Sequence, residues 1–252
     1  MTTVQAIRTF FFYLLLSSSS FFWCIFCVFI APFLPFRARY RLINQAWCHC
    51  AVWLSKVIVG IRYEVSGLEN IPPQPCVILA KHQSAWETMV LQDYTWGAYC
   101  VFVLKKELLR VPLVGWGLAA MKMISIDRAA GKDALDQVVT QGRERLKQGY
   151  YVIIFPEGTR VAPGQTKRYK PGGAYLATHV GCKVVPVAHD AGEYWPRQAF
   201  LKKAGTVTVS IGPAFDATGM SEAEVNKKAE AWIESEMRRI SPHRYPDAAS
   251  RT

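Results

Sequence analysis

For 28 residues, from Thr9 to Phe36, the chain carries no charged side chain, and this stretch divides what the rest can become. A helix needs about 20 apolar residues to cross the hydrocarbon core of a bilayer, so a run this rich in Phe, Leu, Ile, Val and Cys is long enough for membrane attachment. Ser17-Ser-Ser-Ser20 interrupts it, and Pro32 and Pro35 close it. Two geometries stay open: one tilted membrane helix, or a helical hairpin whose short arms dip into one leaflet. The run is too long for the core of a cleaved signal peptide, only Arg8 precedes it, and no small-x-small cleavage site follows.

Arg37, Arg39 and Arg41 come directly after the stretch, against Arg8 alone before it. The positive-inside bias therefore places everything after residue 36 in the cytoplasm, at the inner membrane. Seven cysteines, an odd number without framework spacing, suit the same reducing compartment. Cys48-His49-Cys50 has no second cluster to complete a tetrahedral site, so no metal is expected. Thirty Lys and Arg against 19 Asp and Glu give a net charge of +11, which suits an anionic partner. The basic residues lack the pattern of a nucleic-acid module, which leaves an anionic bilayer surface or a phosphorylated substrate.

Residues 1–60 read as a membrane-anchoring segment with a linker helix over 42–60, and residues 61–252 as one catalytic domain. Short apolar runs at Tyr63–Val65, Val77–Ala80, Tyr99–Leu104, Met123–Ile126, Tyr151–Phe155, Lys183–Val187 and Val207–Ile211 predict strands. Helical patterns at Ser84–Tyr94, Lys132–Gln148, Gly172–His179 and Ser221–Ile240 lie among them, the last with Ser221 as N-cap. The alternation predicts an α/β fold, with a largely parallel or mixed central sheet flanked by helices behind the N-terminal helix or hairpin. Ligand sites in such sheets gather beyond the carboxyl ends of the strands.

Two polar knots occupy that position. Lys81-His82-Gln-Ser-Ala-Trp-Glu87 follows the run 77–80, and Phe155-Pro-Glu-Gly-Thr-Arg160 follows the run 151–155. Residues five apart on a helix do not share a face, so His82 and Glu87 can meet only across a strand-to-helix turn. Ser84-x-x-Glu87 also reads as a capping box that starts the helix at Ser84, with Glu87 at its positive end. A base with an orienting acid, beside an anion-binding turn, makes the two halves of a group-transfer site.

These blocks resemble those of the glycerolipid acyltransferases. The first is usually Asn-His-x-Ser-x-x-Asp; here Lys81 and Glu87 replace the Asn and Asp. Lys105-Lys106 followed by Pro112-x-x-Gly115, then Ile126-Asp127-Arg128, resembles the second; Phe155–Arg160 matches the third, and Val184-Val-Pro-Val187 the fourth. The resemblance implies transfer of a fatty acyl group from a thioester, carried by acyl-CoA or acyl carrier protein, to the sn-2 hydroxyl of 1-acylglycerol 3-phosphate (lysophosphatidic acid), giving phosphatidic acid.

On this reading His82 is the general base and Glu87 holds and stabilises its imidazole. No acyl-enzyme forms, and no cofactor is needed beyond the thioester co-substrate. Lys105, Arg128, Gly158, Thr159 and Arg160 would meet the acceptor phosphate, with Glu157 organising the site or pairing with Arg160. Another lyso-lipid or glycerol 3-phosphate as acceptor, or an anionic-lipid-binding protein without catalysis, are the alternatives. A hydrolase lacks a Gly-x-Ser-x-Gly elbow. Lys167, Arg168 and Lys170 before Pro171-Gly-Gly173 form an unassigned basic cluster, and His49, His179, His189 and His243 are expected to be structural.

Overall fold

In the computed structural model, residues 3–92, 99–112 and 114–245 are described. Leu113 and the end of the helix expected over Ser84–Tyr94 lie outside them. The serine run does not break the first helix: α1 continues from Thr3 to Ile30. Ser19 and Ser20 stay inside it by donating their hydroxyls to the Leu16 carbonyl at 3.0 and 2.5 Å. The prolines make the break, through a 3₁₀ turn (Ala31–Phe33) and an extended Leu34 before Pro35.

A second helical run then folds back along α1: α2 (Phe36–Arg39), a π-helical turn (Tyr40–Gln45), α3 (Ala46–Leu54) and another π turn (Ser55–Val59). Trp23 Nε1 donates to the Ile43 carbonyl at 3.1 Å, so this run lies beside α1. The uncharged stretch, for which one helix or two short arms are expected, forms one helix to Ile30 rather than two arms broken at the serines. The π turns lie where the run reaches the domain. Tyr40 exchanges two hydrogen bonds with the Cys100 backbone, and Ser55 Oγ accepts from Trp86 Nε1 at 3.3 Å. Gly60, at φ +87°, ends the run in the left-handed conformation that side chains disfavour.

α1 is long and apolar enough to cross a membrane, yet its N-terminal part lies against the domain. Gln5 Nε2 donates to the Lys202 carbonyl (2.8 Å), the Lys202 N–H donates to Thr9 Oγ1 (3.2 Å), and Phe12 packs edge-on against Trp195.

Beyond Gly60 the strands are β1 (Ile61–Ser66), β2 (Val77–Ala80), β3 (Cys100–Lys105), β4 (Ile124–Ile126), β5 (Tyr151–Ile154), β6 (Lys183–His189), β7 (Gly205–Ile211) and β8 (Phe215–Asp216). They form a mixed sheet ordered β1-β7-β6-β2-β5-β3-β4, with β8 on β6. The strands from β6 to β4 run parallel; β7 turns antiparallel to β6 and pairs with β1 in parallel. β2 and β5 are buried at every residue, as continuous apolar runs covered on both faces must be.

The helices α4 (Trp86–Val90), α5 (Val114–Ala120), α6 (Lys132–Lys147), α7 (Gly172–Val180) and α8 (Glu222–Ile240) complete the layers. α6, α7 and α8 pack side by side, and α3 packs on α4 and α1. Ser221 caps α8 as expected, in a reciprocal box with Glu224. The 3₁₀ turn Lys106–Arg110 and α5 have no counterpart among the expected elements. Gly115 makes this turn possible, because a Cβ there would lie 2.2 Å from the Leu109 carbonyl oxygen.

Behind β6, Asp190 is buried and accepts the Thr208 N–H at 2.8 Å, and burial pushes its carboxyl up to about 6. A raised carboxyl stabilises the fold below its unfolded pKa of about 4, and that contribution is lost as pH rises through about 6. Asp190→Asn will therefore be more stable than wild type at pH 8, by about 1–3 kcal/mol, with the gap closing at pH 4. Thermal melts at the two pH values check this; an Asn variant less stable at pH 8 would refute it.

Candidate active site

β2 ends at Ala80, and the chain stays beside β6 for one more residue through the Lys81 N–H to Val187 carbonyl bond (2.9 Å). It then turns into α4, and this turn brings His82 and Glu87 together, with Nδ1 2.8 Å from Oε1. The same Oε1 accepts the N–H groups of Gln83 (3.0 Å) and Ser84 (2.9 Å). The capping box is present only in part. α4 begins at Trp86 with Ala85 as its cap, and Ser84 Oγ takes the Trp86 N–H rather than that of Glu87. Its hydroxyl oxygen is thus engaged and buried.

Glu87 is completely buried. Burial opposes its charge, but His189, His82 and the Ser84 N–H together hold its carboxyl below the usual carboxylate range. With an ionised Oε1 accepting from Nδ1–H, the His82 tautomer is set and the Nε2 lone pair is free to take a proton. The imidazole lies flat on Phe155, ring centroids 4.0 Å apart and 14° between planes, and Phe155 lies on Phe102 in turn (5.5 Å, 14°). His189, expected to be structural, sits behind this pair. It is buried, donates from Nε2 to the Lys81 carbonyl (2.7 Å) and accepts the Ala191 N–H.

The loop after β5 wraps against His82 through the Val161 N–H to His82 carbonyl bond (2.7 Å). Gly158, at φ +68°, turns the loop, and the Lys170 side chain lies over its bare face, 2.9 Å from where a Cβ would be. Arg128 donates to the Gly158 carbonyl (2.9 Å), and Arg197 to Thr159 Oγ1 (3.2 Å) and the Arg160 carbonyl (3.3 Å).

A cavity of about 1370 Å³ opens here. Six of the eight expected site residues line it: His82, Lys105, Arg128, Gly158, Thr159 and Arg160. Glu87 stands behind His82. Glu157 turns away from the cavity and is fully buried, pairing with Lys81 at 3.4 Å; the alternative ion pair to Arg160 is not formed. Burial pushes the Glu157 carboxyl up, against the pull of Lys81.

Lys170, left unassigned from the sequence, and Arg197, for which no motif gave a signal, add two more cations to the wall. None of these five cations has an acidic partner among the described residues. The rest of the wall is mainly apolar: Phe102 and Leu104 from β3, Trp116 from α5, Val138 from α6, and Trp23 and Cys27 from α1. The chamber thus joins an imidazole, an anion-attracting rim and a long greasy interior. Among the described residues no group of His, Cys, Asp or Glu is arranged to hold a metal ion.

Comparison with known proteins gives concordant matches. The family model described as Acyltransferase matches residues 62–190. The 1-acyl-sn-glycerol-3-phosphate acyltransferase of Pseudomonas aeruginosa is 54% identical over 245 residues, covering 96% of this chain and 95% of that one. The human 1-acyl-sn-glycerol-3-phosphate acyltransferase beta is 30% identical over 172 residues, covering 68% and 62%. The crystal structure of the 1-acyl-sn-glycerophosphate (LPA) acyltransferase, PlsC, from Thermotoga maritima superposes with a TM-score of 0.76 at 24% identity, covering 93% and 95%, and shares the fold.

Proposed function

The chain belongs to the acyltransferase family, and from that premise we propose that it is a 1-acylglycerol-3-phosphate O-acyltransferase of phospholipid synthesis. The observation that carries this reading is the His82–Glu87 pair, 2.8 Å apart, at a cavity whose rim holds Lys105, Arg128 and Arg160. The acceptor's phosphate is drawn to those cations, which places its free sn-2 hydroxyl toward the imidazole. His82 Nε2 takes the hydroxyl proton as the oxygen attacks the thioester carbonyl carbon, and Glu87 stabilises the imidazolium. The tetrahedral centre collapses, the carbon–sulfur bond breaks, and the thiolate leaves with the proton that His82 returns. Phosphatidic acid and a free thiol result, and no covalent acyl-enzyme is required. The apolar interior takes fatty chains, whether the donor is acyl-CoA or acyl carrier protein.

The same reading attaches the protein to an anionic bilayer, on the cytoplasmic face of the inner membrane. Several large exposed apolar side chains outside α1 lie on elements packed against it or on the turn beside them. Trp53 and Val57 are on the second helical run, and Leu108, Val111, Val114 and Trp116 are on α5 and the turn before it. Arg110 stands among the latter and suits lipid phosphates, while Lys106 beside it is paired with Asp127.

The experiment is acyl transfer by purified protein in detergent, with labelled acyl-CoA and acyl carrier protein donors against a panel of lyso-lipids and glycerol 3-phosphate. Transfer to 1-acylglycerol 3-phosphate above the other acceptors is expected; no transfer to any of them refutes the reading. Flotation with phosphatidylethanolamine–phosphatidylglycerol vesicles tests the membrane part, and protein left at the bottom of the gradient refutes that part alone.

A further inference from the structure

Lys81 precedes the candidate base in sequence, yet its side chain leaves the cavity and is completely buried. Its Nζ lies 2.6 Å from Glu234 Oε1 on α8 and 3.4 Å from Glu157 Oε1 on the loop after β5, and 3.5 Å from the Gln165 carbonyl oxygen. Tyr169 adds its hydroxyl to Glu234 Oε1 at 3.4 Å. Burying an ammonium with two carboxylates is costly, and a hydrocarbon of similar volume would fill the space at less expense. The arrangement is therefore unusual enough to need a reason.

The reason is in what the three charges connect. Glu157 Oε1, held by Lys81, also accepts the His82 backbone N–H at 3.4 Å, and the His82 carbonyl accepts the Val161 N–H at 2.7 Å. Both main-chain groups of His82 are thus bonded to the segment that carries Gly158, Thr159 and Arg160. The Lys81 main chain is fastened as well, its N–H to Val187 and its carbonyl to His189. Among the described residues, Lys81 is the one side chain that pairs with the Glu157 carboxylate, and Glu234 is the residue that ties that ammonium to the C-terminal helix.

We propose that Lys81 is a positioning residue for acyl transfer: held between Glu157 and Glu234, it sets the separation between the His82 imidazole and the cation-bearing loop 158–160, and makes α8 part of the catalytic framework. The shorter Asn common in the resembling first block would not span to α8, so Lys81 and Glu234 form a matched pair in this chain. The inference rests on His82 acting as the base. A shift of about 1 Å in such a separation costs on the order of a hundredfold in rate, without abolishing binding.

The test is steady-state kinetics on full-length enzyme, with folding followed by circular dichroism. Lys81→Met keeps length and loses charge; about a 30- to 100-fold fall in kcat is expected, with the acceptor KM within about threefold. Lys81→Arg restores the charge and should recover most of the loss. A Lys81→Met enzyme that melts earlier but keeps its kcat, or an Arg variant no better than Met, overturns the proposal. If Lys81→Met does not fold, Glu234→Gln decides, because it retains shape and a hydrogen bond to Lys81. About a five- to tenfold lower kcat at unchanged KM supports the proposal, and an unchanged kcat overturns it. Wild type and His82→Ala run alongside: an active His82→Ala enzyme refutes the base, whereas unaffected Lys81 and Glu234 variants refute only the positioning.

Discussion

Replacing His82 with alanine will lower kcat for transfer to 1-acylglycerol 3-phosphate by about a thousandfold or more, and leave the acceptor KM within about threefold. The division follows from geometry. The imidazole pairs with Glu87 and stacks on Phe155, and no hydrogen bond joins it to a rim cation among the described residues; Arg128 and Arg197 bond to the loop 158–160 instead. Phosphate capture therefore survives the loss of the base, and proton removal does not. A general base contributes typically 10²–10⁴-fold, and direct attack by a neutral hydroxyl on a thioester depends on it throughout. Stability falls by about 1–3 kcal/mol, because buried Glu87 loses the hydrogen bond from Nδ1, while the backbone bonds that fasten residue 82 do not involve the side chain and keep the turn in place. Purified protein, mixed micelles and initial rates at saturating donor give the comparison. A His82→Ala enzyme within tenfold of wild-type kcat would remove His82 from the chemistry.

Glu87→Gln is expected to cost about 10²–10³ in kcat and about 1–3 kcal/mol of stability at pH 7. Glutamine matches the shape of glutamate, and its carbonyl oxygen can still meet the Gln83 and Ser84 N–H groups. It lacks the negative charge that fixes the His82 tautomer and stabilises the imidazolium, and its NH₂ finds no acceptor where Glu87 Oε2 is buried without a partner. The acid side supplies the sign. A carboxyl depressed on folding stabilises the protein above its unfolded pKa, and that contribution is lost as pH falls through the folded value. Wild type and Glu87→Gln will therefore differ in melting temperature at pH 7 and converge toward pH 3. Parallel curves would show that the carboxylate's charge does not stabilise the fold, and a glutamine variant of unchanged activity would show that it does not serve the imidazole.

The parts of this fold that are local were legible in the sequence. Seven apolar runs became strands within a residue or two, and Ser221 caps α8, because alternation and capping depend on neighbours. The His82–Glu87 meeting was legible too, since a spacing of five admits one kind of turn. What escaped was set by contacts distant in sequence. Four serines look like an interruption, but each hydroxyl can return to a carbonyl of its own helix, as Ser19 and Ser20 do to Leu16. The pairing of β1 with β7 joins strands at opposite ends of the domain and leaves no periodic trace. Arg197 reaches Thr159 from a loop without a motif, and Lys81 finds Glu234 across 153 positions. Ion pairs at that separation have no local signature, so pairing with neighbouring Arg160 stood beside site organisation as a reading of Glu157, whose charge is met by Lys81.

Helix α1 has two sides with different neighbours. Trp23 and Cys27 face the reaction chamber, while Phe22 and Phe29 are about 70% exposed on the outside. With lipid against those outer rings, as proposed above, one boundary of the chamber is a single helix backed by a fluid. Thickness and lateral pressure of the bilayer then act on that helix directly, and the volume open to a fatty chain changes with them. Chain-length selectivity measured in vesicles of thin and thick lipids would read this coupling. The enzyme's product becomes part of the material that presses on its own wall, so the mechanical state of the membrane feeds back on the choice of the next chain to be added to it.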